Sequence, residues 1–215
     1  MDQYLDLPIP GVSIKCPYYN NKRLSVRNGL RVLIGKGSPG EIAEEVTLCA
    51  LKEKVELAML SMDTKSQFLI DHNIGIDCSG LVYHVLDAEA KARGKGSLGS
   101  FLKFPFSRGL LARMGRFLRR RYAENTDVKT FAHEDNSHPV KWSDIRAGDI
   151  LIKTYTGGGD GERNHILLVT KTDGNQVWVA QSVAKPKDGR LGHGVRDELL
   201  EERGDLMPRR LNKFG

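Results

Sequence analysis

The chain has 215 residues, of which 40% are apolar and 28% charged, with a net charge of +6 and three cysteines. These values are typical of a globular protein with one main hydrophobic core. No stretch of eighteen apolar residues is present, so no transmembrane helix is predicted. The cysteines are too few and too scattered for a disulfide framework or a zinc site, and we expect no metal and no cofactor.

The N-terminal region begins MDQYLDLPIPGV, with an acidic residue at position 2 and no apolar core of the kind that a secretory signal needs. The sequence therefore favours a cytoplasmic location, or an extracellular one if a leader precedes it. We expect residues 1–70 to form an irregular segment and a helix that pack on a domain formed by residues 71–215.

The first strong helix signal lies after residue 37. Ser38 is the predicted N-cap, Pro39 occupies the first helical position and Glu41 completes a capping box. Apolar residues then recur at helical spacing, so we predict one helix over 39–62. The preceding LRVLIG, at 30–35, fits either a short strand or a helical turn.

The stretch GIDCSGLVYHVLDA, residues 75–88, predicts a second helix with Asp77 as its N-cap. Cys78 then lies in the first helical turn, where unpaired backbone N–H groups and the helix dipole favour a thiolate. Free cysteine is also among the most frequently buried residue types. Cys78 is therefore either a small buried hydrophobic residue or a nucleophile, and a nucleophile needs a base elsewhere in the chain.

The excess positive charge is concentrated between residues 101 and 123, which carry seven Lys and Arg residues and no acid. Residues 107–122 have a helical pattern and belong to an apparent insertion at about 93–140. Four arginines form the candidate basic patch: Arg116, Arg119, Arg120 and Arg121. Such a helix would bind an anionic polymer, nucleic acid or a membrane surface, or it is a solvated face over a buried apolar stripe.

The pattern changes to strands after residue 140. DILIKTY at 149–155, HILLVTK at 165–171 and QVWVAQSV at 176–183 are separated by glycine-rich turns, which predicts an antiparallel meander. Residues 123–140 are predicted to be a polar connection, and the charged RDELLEERGDL at 196–206 a further helix. Helices followed by strands indicate an α+β fold.

The strongest candidate for a base is His165, which opens the strand HILLVTK directly after a glycine-rich loop. Alternation puts it on the same strand face as Leu167 and Val169. An imidazole at a strand end, next to a thiol at a helix start, is the Cys–His pair that nucleophilic catalysis needs. A satisfied histidine at a sheet edge is the other interpretation.

Three boxes in this order resemble the NlpC/P60 family of papain-like cysteine peptidases: DCSG at 77–80, AGDI at 147–150 and NHI at 164–166. The resemblance covers roughly residues 70–185 and implies a papain-like core in which Cys78 is the nucleophile and His165 the general base. Family members usually carry a third polar residue on the next strand, which orients the imidazole. No His or Asn stands there in this chain, so Gln181 is the predicted residue and His193 the alternative.

The resemblance also implies a bacterial enzyme that cleaves peptidoglycan stem peptides, most commonly between D-glutamyl and a diamino acid. Asp77 and Ser79 would shape the pocket for the amine end of this peptide, and helix capping explains the two residues equally well. Asp149 is predicted to close the turn before its strand. Two alternatives stay open: a thiol acyltransferase on the same fold, and a basic binding protein with a degenerate catalytic site. The sequence does not indicate an oligomeric state.

Overall fold

The computed structural model describes residues 1–20, 31–104, 122–154, 164–184 and 193–213. Its mixture of helices and antiparallel strands confirms the α+β fold class. The chain forms two compact units: unit 1 comprises Met1–Leu81 and Gln181–Arg196, and unit 2 comprises Val82–Ala180 and Asp197–Gly215. Among the helices in the described ranges, none combines the length and apolar character needed to cross a membrane.

Unit 1 is mainly helical over its described residues. Its helices are α1 (Asp2–Leu5), α2 (Pro39–Glu53) and α3 (Met62–Asp71), with 3-10 turns at Arg31–Ile34 and Leu57–Met59. The turn at Arg31–Ile34 agrees with one of the two structures expected for LRVLIG. The most buried side chains of this unit include Tyr4, Ile14, Ile42, Val46, Leu69 and Ile74.

Helix α2 begins as predicted and ends earlier than predicted. The hydroxyl of Ser38 accepts from the N–H of Glu41, and the carboxylate of Glu41 accepts from the N–H of Ser38, so the capping box is confirmed. The prediction of one helix over 39–62 is wrong, because the chain turns out of the helix at Lys54, which has a φ of 57°. Its N–H bonds to the carbonyl groups of the last helical turn, as is typical of a left-handed cap.

Helix α3 is missing from the sequence-based expectations, although a signal for it exists. The hydroxyl of Ser61 accepts from the N–H of Thr64 at 3.3 Å and caps the helix. Leu69 on its inner face is fully buried. Ser61 lies inside the span expected to be one helix over 39–62, where no N-cap is predicted.

Unit 2 contains the sheet and most of α4 (Cys78–Ala92). It also contains two short helices, α5 (Tyr122–Asn125) and α6 (Val128–Ala132), and 3-10 turns at Leu98–Ser100 and Trp142–Asp144. The strands are β1 (Ser137–Pro139), β2 (Ile150–Lys153), β3 (His165–Asp173), β4 (Gln176–Val183), β5 (Gly194–Leu199) and β6 (Met207–Leu211). Their order in the sheet is β1-β6-β2-β3-β4-β5, and α4, β4 and β5 each continue from one unit into the other.

The predicted antiparallel meander is present as β2, β3 and β4. The register pairs Ile152 with Ile166 and Val169 with Val179. One buried cluster contains alternate residues of the three strands: Leu151, Leu167, Val169, Val177 and Val179. Residues two positions apart therefore share a face of the sheet, as the sequence predicts.

Two other predictions for this part of the chain are wrong. Residues 123–140 are not a polar connection, because Asp127 caps α6 through the N–H of Thr130 at 2.7 Å and Phe131 is fully buried. The charged RDELLEERGDL does not form a helix. Its first residues belong to β5, whose side chains alternate in exposure after the fully buried Val195.

Candidate active site

The segment that precedes Cys78 is held from several sides within unit 1. The N–H of Ile76 donates to the carbonyl of Pro17 at 3.0 Å, and the carbonyl of Ile76 accepts from the N–H of Tyr19 and from the hydroxyl of Ser182. The N–H of Asp77 donates to the carbonyl of Gly35 at 3.0 Å. These bonds fix the backbone position at which α4 begins.

Asp77 caps α4, as the sequence predicts. Its Oδ1 accepts from the N–H of Gly80 at 2.6 Å, and its carbonyl accepts the first intrahelical bond from Leu81 at 3.0 Å. Cys78 is consequently the first residue of α4. A thiol at this position lies near the positive end of the helix dipole, which favours its ionised form.

The three cysteines have different surroundings. Cys16 is completely buried, and burial raises the pKa of its thiol well above its usual range. Cys49 on α2 is half-buried, and burial together with the neighbouring Glu45 and Glu53 raises its pKa as well. Cys78 is also buried, with 7% exposure, but unlike the other two thiols it lies at a helix start.

Lys36 is a component of this region that the sequence does not predict. Its ammonium donates to Oδ1 of Asp77 at 2.9 Å and to Oγ of Ser79 at 2.5 Å. The Ser79 hydroxyl in turn donates to the same Asp77 oxygen at 3.1 Å. All three side chains are buried. No spacing rule relates Lys36 to residues more than forty positions later, so only the fold reveals this cluster.

His165 is the first residue of β3 and pairs with Lys153 of β2. It is half-buried and lies in phase with Leu167 and Val169, which belong to the buried sheet cluster. His165 therefore has the strand-end position that the sequence predicts. It belongs to unit 2, whereas Cys78 belongs to unit 1.

The two candidates for the third catalytic residue both belong to unit 1. Gln181 is half-buried and continues the phase of Val177 and Val179 along β4. His193 accepts a hydrogen bond from the N–H of Tyr18 at its Nδ1, over 3.4 Å. Burial, followed by nearby positive charge, lowers the pKa of His193, so its neutral imidazole is favoured.

Asp149, in the AGDI box, closes the turn before β2. Its Oδ2 accepts from the N–H of Arg146 at 2.9 Å, and its two oxygens accept from the guanidinium of Arg210 at 2.7 and 2.8 Å. The prediction that Asp149 closes this turn is confirmed. A cavity of about 510 Å³ beside this turn is lined in part by Val85, Leu168 and Asp149, and its lining includes none of the predicted catalytic residues.

The candidate basic patch cannot be placed in this fold. Arg116, Arg119, Arg120 and Arg121 lie outside the residues that the structure describes, as does almost all of the helix expected over 107–122.

No protein-family model, curated protein or solved structure matches this chain.

Proposed function

We propose that the protein is a cysteine hydrolase with a papain-like NlpC/P60 core, which cleaves an amide bond in peptidoglycan stem peptides. The observation that carries the proposal is the position of Cys78 at the first residue of α4, on a turn fixed by the Asp77 cap. This position favours a thiolate and directs helical N–H groups toward any negative charge that develops beside the sulfur.

In the proposed mechanism His165 removes the thiol proton of Cys78, and the sulfur attacks the carbonyl carbon of the amide. The resulting oxyanion is stabilised by N–H groups of the first turn of α4, including that of Cys78. The C–N bond then breaks, and the imidazolium donates its proton to the leaving amine. Water, deprotonated by the same imidazole, hydrolyses the thioester and restores the free thiol.

Three sequence boxes support the substrate class, and the local geometry supports the chemistry. The half-buried His165 opens a strand of the meander, and Gln181 follows Val177 and Val179 in phase along its own strand. The mechanism requires Sγ of Cys78 within hydrogen-bond distance of an imidazole nitrogen of His165 during the reaction.

Cleavage of purified stem peptides tests the proposal directly. Wild-type protein, incubated with disaccharide tripeptides and tetrapeptides, should release a fragment with a new amino terminus, detected by mass spectrometry. Cys78→Ala should lower the turnover number by more than about a thousandfold, because the covalent step is lost. Cys49→Ser is the matched control and should turn over at the wild-type rate. Equal rates for Cys78→Ala and wild type would refute the assignment.

A second measurement tests the pairing of the thiol with its base. The rate of Cys78 alkylation by iodoacetamide should fall in His165→Ala near neutral pH, because the thiolate loses its imidazolium partner. Release of a transferred amide in the presence of an added amine would instead identify an acyltransferase. Polyanion binding without turnover, weakened by exchange of Arg119, Arg120 and Arg121 for Gln, would identify a binding protein.

A further inference from the structure

The side chains on either side of Cys78 are bound by one buried cation. Lys36 is 7% exposed, and its ammonium bonds to both Asp77 and Ser79. Asp77 and Ser79 are 7% and 4% exposed, so water has little access to the three groups. Oδ1 of the carboxylate and the hydroxyl are therefore both bonded to a residue of this chain.

The charge of this cluster is balanced by Lys36. A carboxylate in surroundings of low dielectric, without a counter-ion, disfavours a second negative charge on a neighbouring group. Asp77 is directly adjacent in sequence to Cys78, whose sulfur must become negative in the proposed mechanism. With the ammonium present, the ion pair is neutral overall, and the thiolate meets no uncompensated carboxylate.

The backbone around Lys36 is attached to the helix start independently of the lysine side chain. The carbonyl of Gly35 accepts from the N–H of Asp77, and a Cβ atom at Gly80 would lie 2.7 Å from that carbonyl oxygen. Gly35 has a φ of +74°, and a Cβ there would meet the carbonyl oxygen of Tyr19. The two segments are thus in close backbone contact, and the ammonium supplies charge rather than attachment.

We propose that Lys36 is a positioning residue for the candidate nucleophile. Its ammonium binds the side chains of Asp77 and Ser79 and compensates the Asp77 carboxylate, which keeps the neighbouring thiol of Cys78 ionisable. Asp77 and Ser79 accordingly bind Lys36 and not the amine end of a substrate. This role deepens the proposed function and rests on it for its biological meaning, but it is measurable without turnover.

A charge-reversal series tests the proposal through the alkylation rate of Cys78 at pH 7, measured by peptide mass spectrometry, and through the thiolate absorbance near 240 nm. Lys36→Met should slow alkylation about tenfold, because an unpaired carboxylate then adjoins the thiol. Asp77→Asn, which keeps a capping side chain, should accelerate alkylation about threefold. The double variant should return to within about twofold of wild type, because both charges are absent.

Lys65→Met is the matched control, because Lys65 is another buried lysine of unit 1, 8% exposed on α3. It should leave the alkylation rate of Cys78 unchanged. Circular dichroism checks that each variant is folded. If Lys36→Met is unfolded, the proposal is tested by whether Asp77→Asn raises or lowers the alkylation rate of Cys78. If Lys36 had a purely structural role, the alkylation rate of Cys78 would change in the same direction in both single variants. That result overturns the proposal, and so does an unchanged rate in both variants. If the alkylation rate changes in opposite directions in the two single variants but the wild-type protein does not hydrolyse stem peptides, only the proposed function is refuted.

Discussion

A buried aspartate in each unit closes a backbone turn, and each is neutralised by a basic residue that is distant in sequence. Asp77 in unit 1 bonds to the N–H of Gly80 and to the ammonium of Lys36. Asp149 in unit 2 bonds to a backbone N–H of its own turn and to the guanidinium of Arg210. The same chemistry therefore holds the first and second boxes of the predicted catalytic motif.

The two cations differ in geometry and in contact with water. Lys36 is a compact charge whose side chain is 8% exposed, and it bonds to two neighbouring side chains. Arg210 makes two parallel bonds to one carboxylate, and its side chain is 21% exposed. The turn before Cys78 therefore depends on a sealed ion pair, whereas the turn before β2 depends on one that water can reach.

Removal of Lys36 should have the largest effect on stability. Lys36→Met leaves the carboxylate of Asp77 buried without its cation, and the free energy of unfolding should fall by about 3–5 kcal/mol. Urea denaturation followed by circular dichroism measures the change, and Lys65→Met should cost under about 1 kcal/mol. A loss below about 1 kcal/mol for Lys36→Met would mean that Asp77 finds other partners or water.

Removal of Arg210 should cost less. Arg210→Met leaves Asp149 with the N–H of Arg146, and water can approach from the exposed side of the former guanidinium. We expect the free energy of unfolding to fall by about 2 kcal/mol in the same urea titration. If this loss equals or exceeds that of Lys36→Met, the contrast between a sealed and an open ion pair does not govern stability.

Asp87 on α4 extends the comparison to a third buried carboxylate. Burial raises its pKa, but hydrogen bonds outweigh this effect and leave the pKa below its usual range. The donors are Lys91, the hydroxyl of Ser97 and the N–H of Leu98.

A lowered pKa means that the stabilisation is present above the unfolded value of about 3.9 and is lost as pH falls through the folded value. Asp87→Asn should therefore lower the free energy of unfolding by about 1.5 kcal/mol at pH 7 and by much less below about pH 3. Thermal unfolding of both proteins from pH 7 down to pH 2.5 measures the difference. A difference that is constant over this range would show that the ionised form contributes nothing.

The pair His72–Glu53 should show the smallest effect and the opposite dependence on pH. The hydrogen bond from His72 to Glu53, 2.7 Å long, raises the pKa of the imidazole, with a further contribution from the carbonyl of Phe68. The stabilisation is thus complete below the unfolded pKa of about 6.5 and disappears as pH rises through the folded value.

Because Glu53 is half exposed, His72→Gln should cost under about 1 kcal/mol at pH 5.5 and nothing at pH 9. Thermal unfolding at the two pH values, with Glu53→Gln as the matched variant, provides the measurement. A larger cost at pH 9 than at pH 5.5 would contradict the assigned sign.

Local signals in the sequence predicted the local parts of the fold. The capping box at Ser38, the cap at Asp77 and the alternation along β3 and β4 depend on residues a few positions apart, and all three are confirmed. The predictions failed where a single backbone conformation or a distant partner decides. Lys54 ends α2 by adopting a left-handed conformation that few sequence signals favour. The charged segment 196–206 has a composition typical of a helix, but strand pairing of β5 and β6 in the sheet determines its structure.

The candidate site follows the same rule. Cys78 at a helix start and His165 at a strand end were predicted from patterns within one element each, and each has the predicted position. Lys36 and Arg210 were not predicted, because they reach their aspartates across 41 and 61 residues. Sequence spacing carries information on neighbours along a helix or strand, and tertiary packing alone determines which cation meets which carboxylate.

The position of β6 between β1 and β2 has a consequence for biosynthesis. Arg209 of β6 bonds to Ser137, 72 residues earlier, and Arg210 bonds to a residue 61 positions earlier. While a ribosome is still translating the segment before β6, the nascent chain already contains β1 and β2. The strand β6, which pairs with both of them, has not yet been synthesised. The sheet can therefore be completed only after β6 has been synthesised, and until then the open side of β2 is available to associate with other chains.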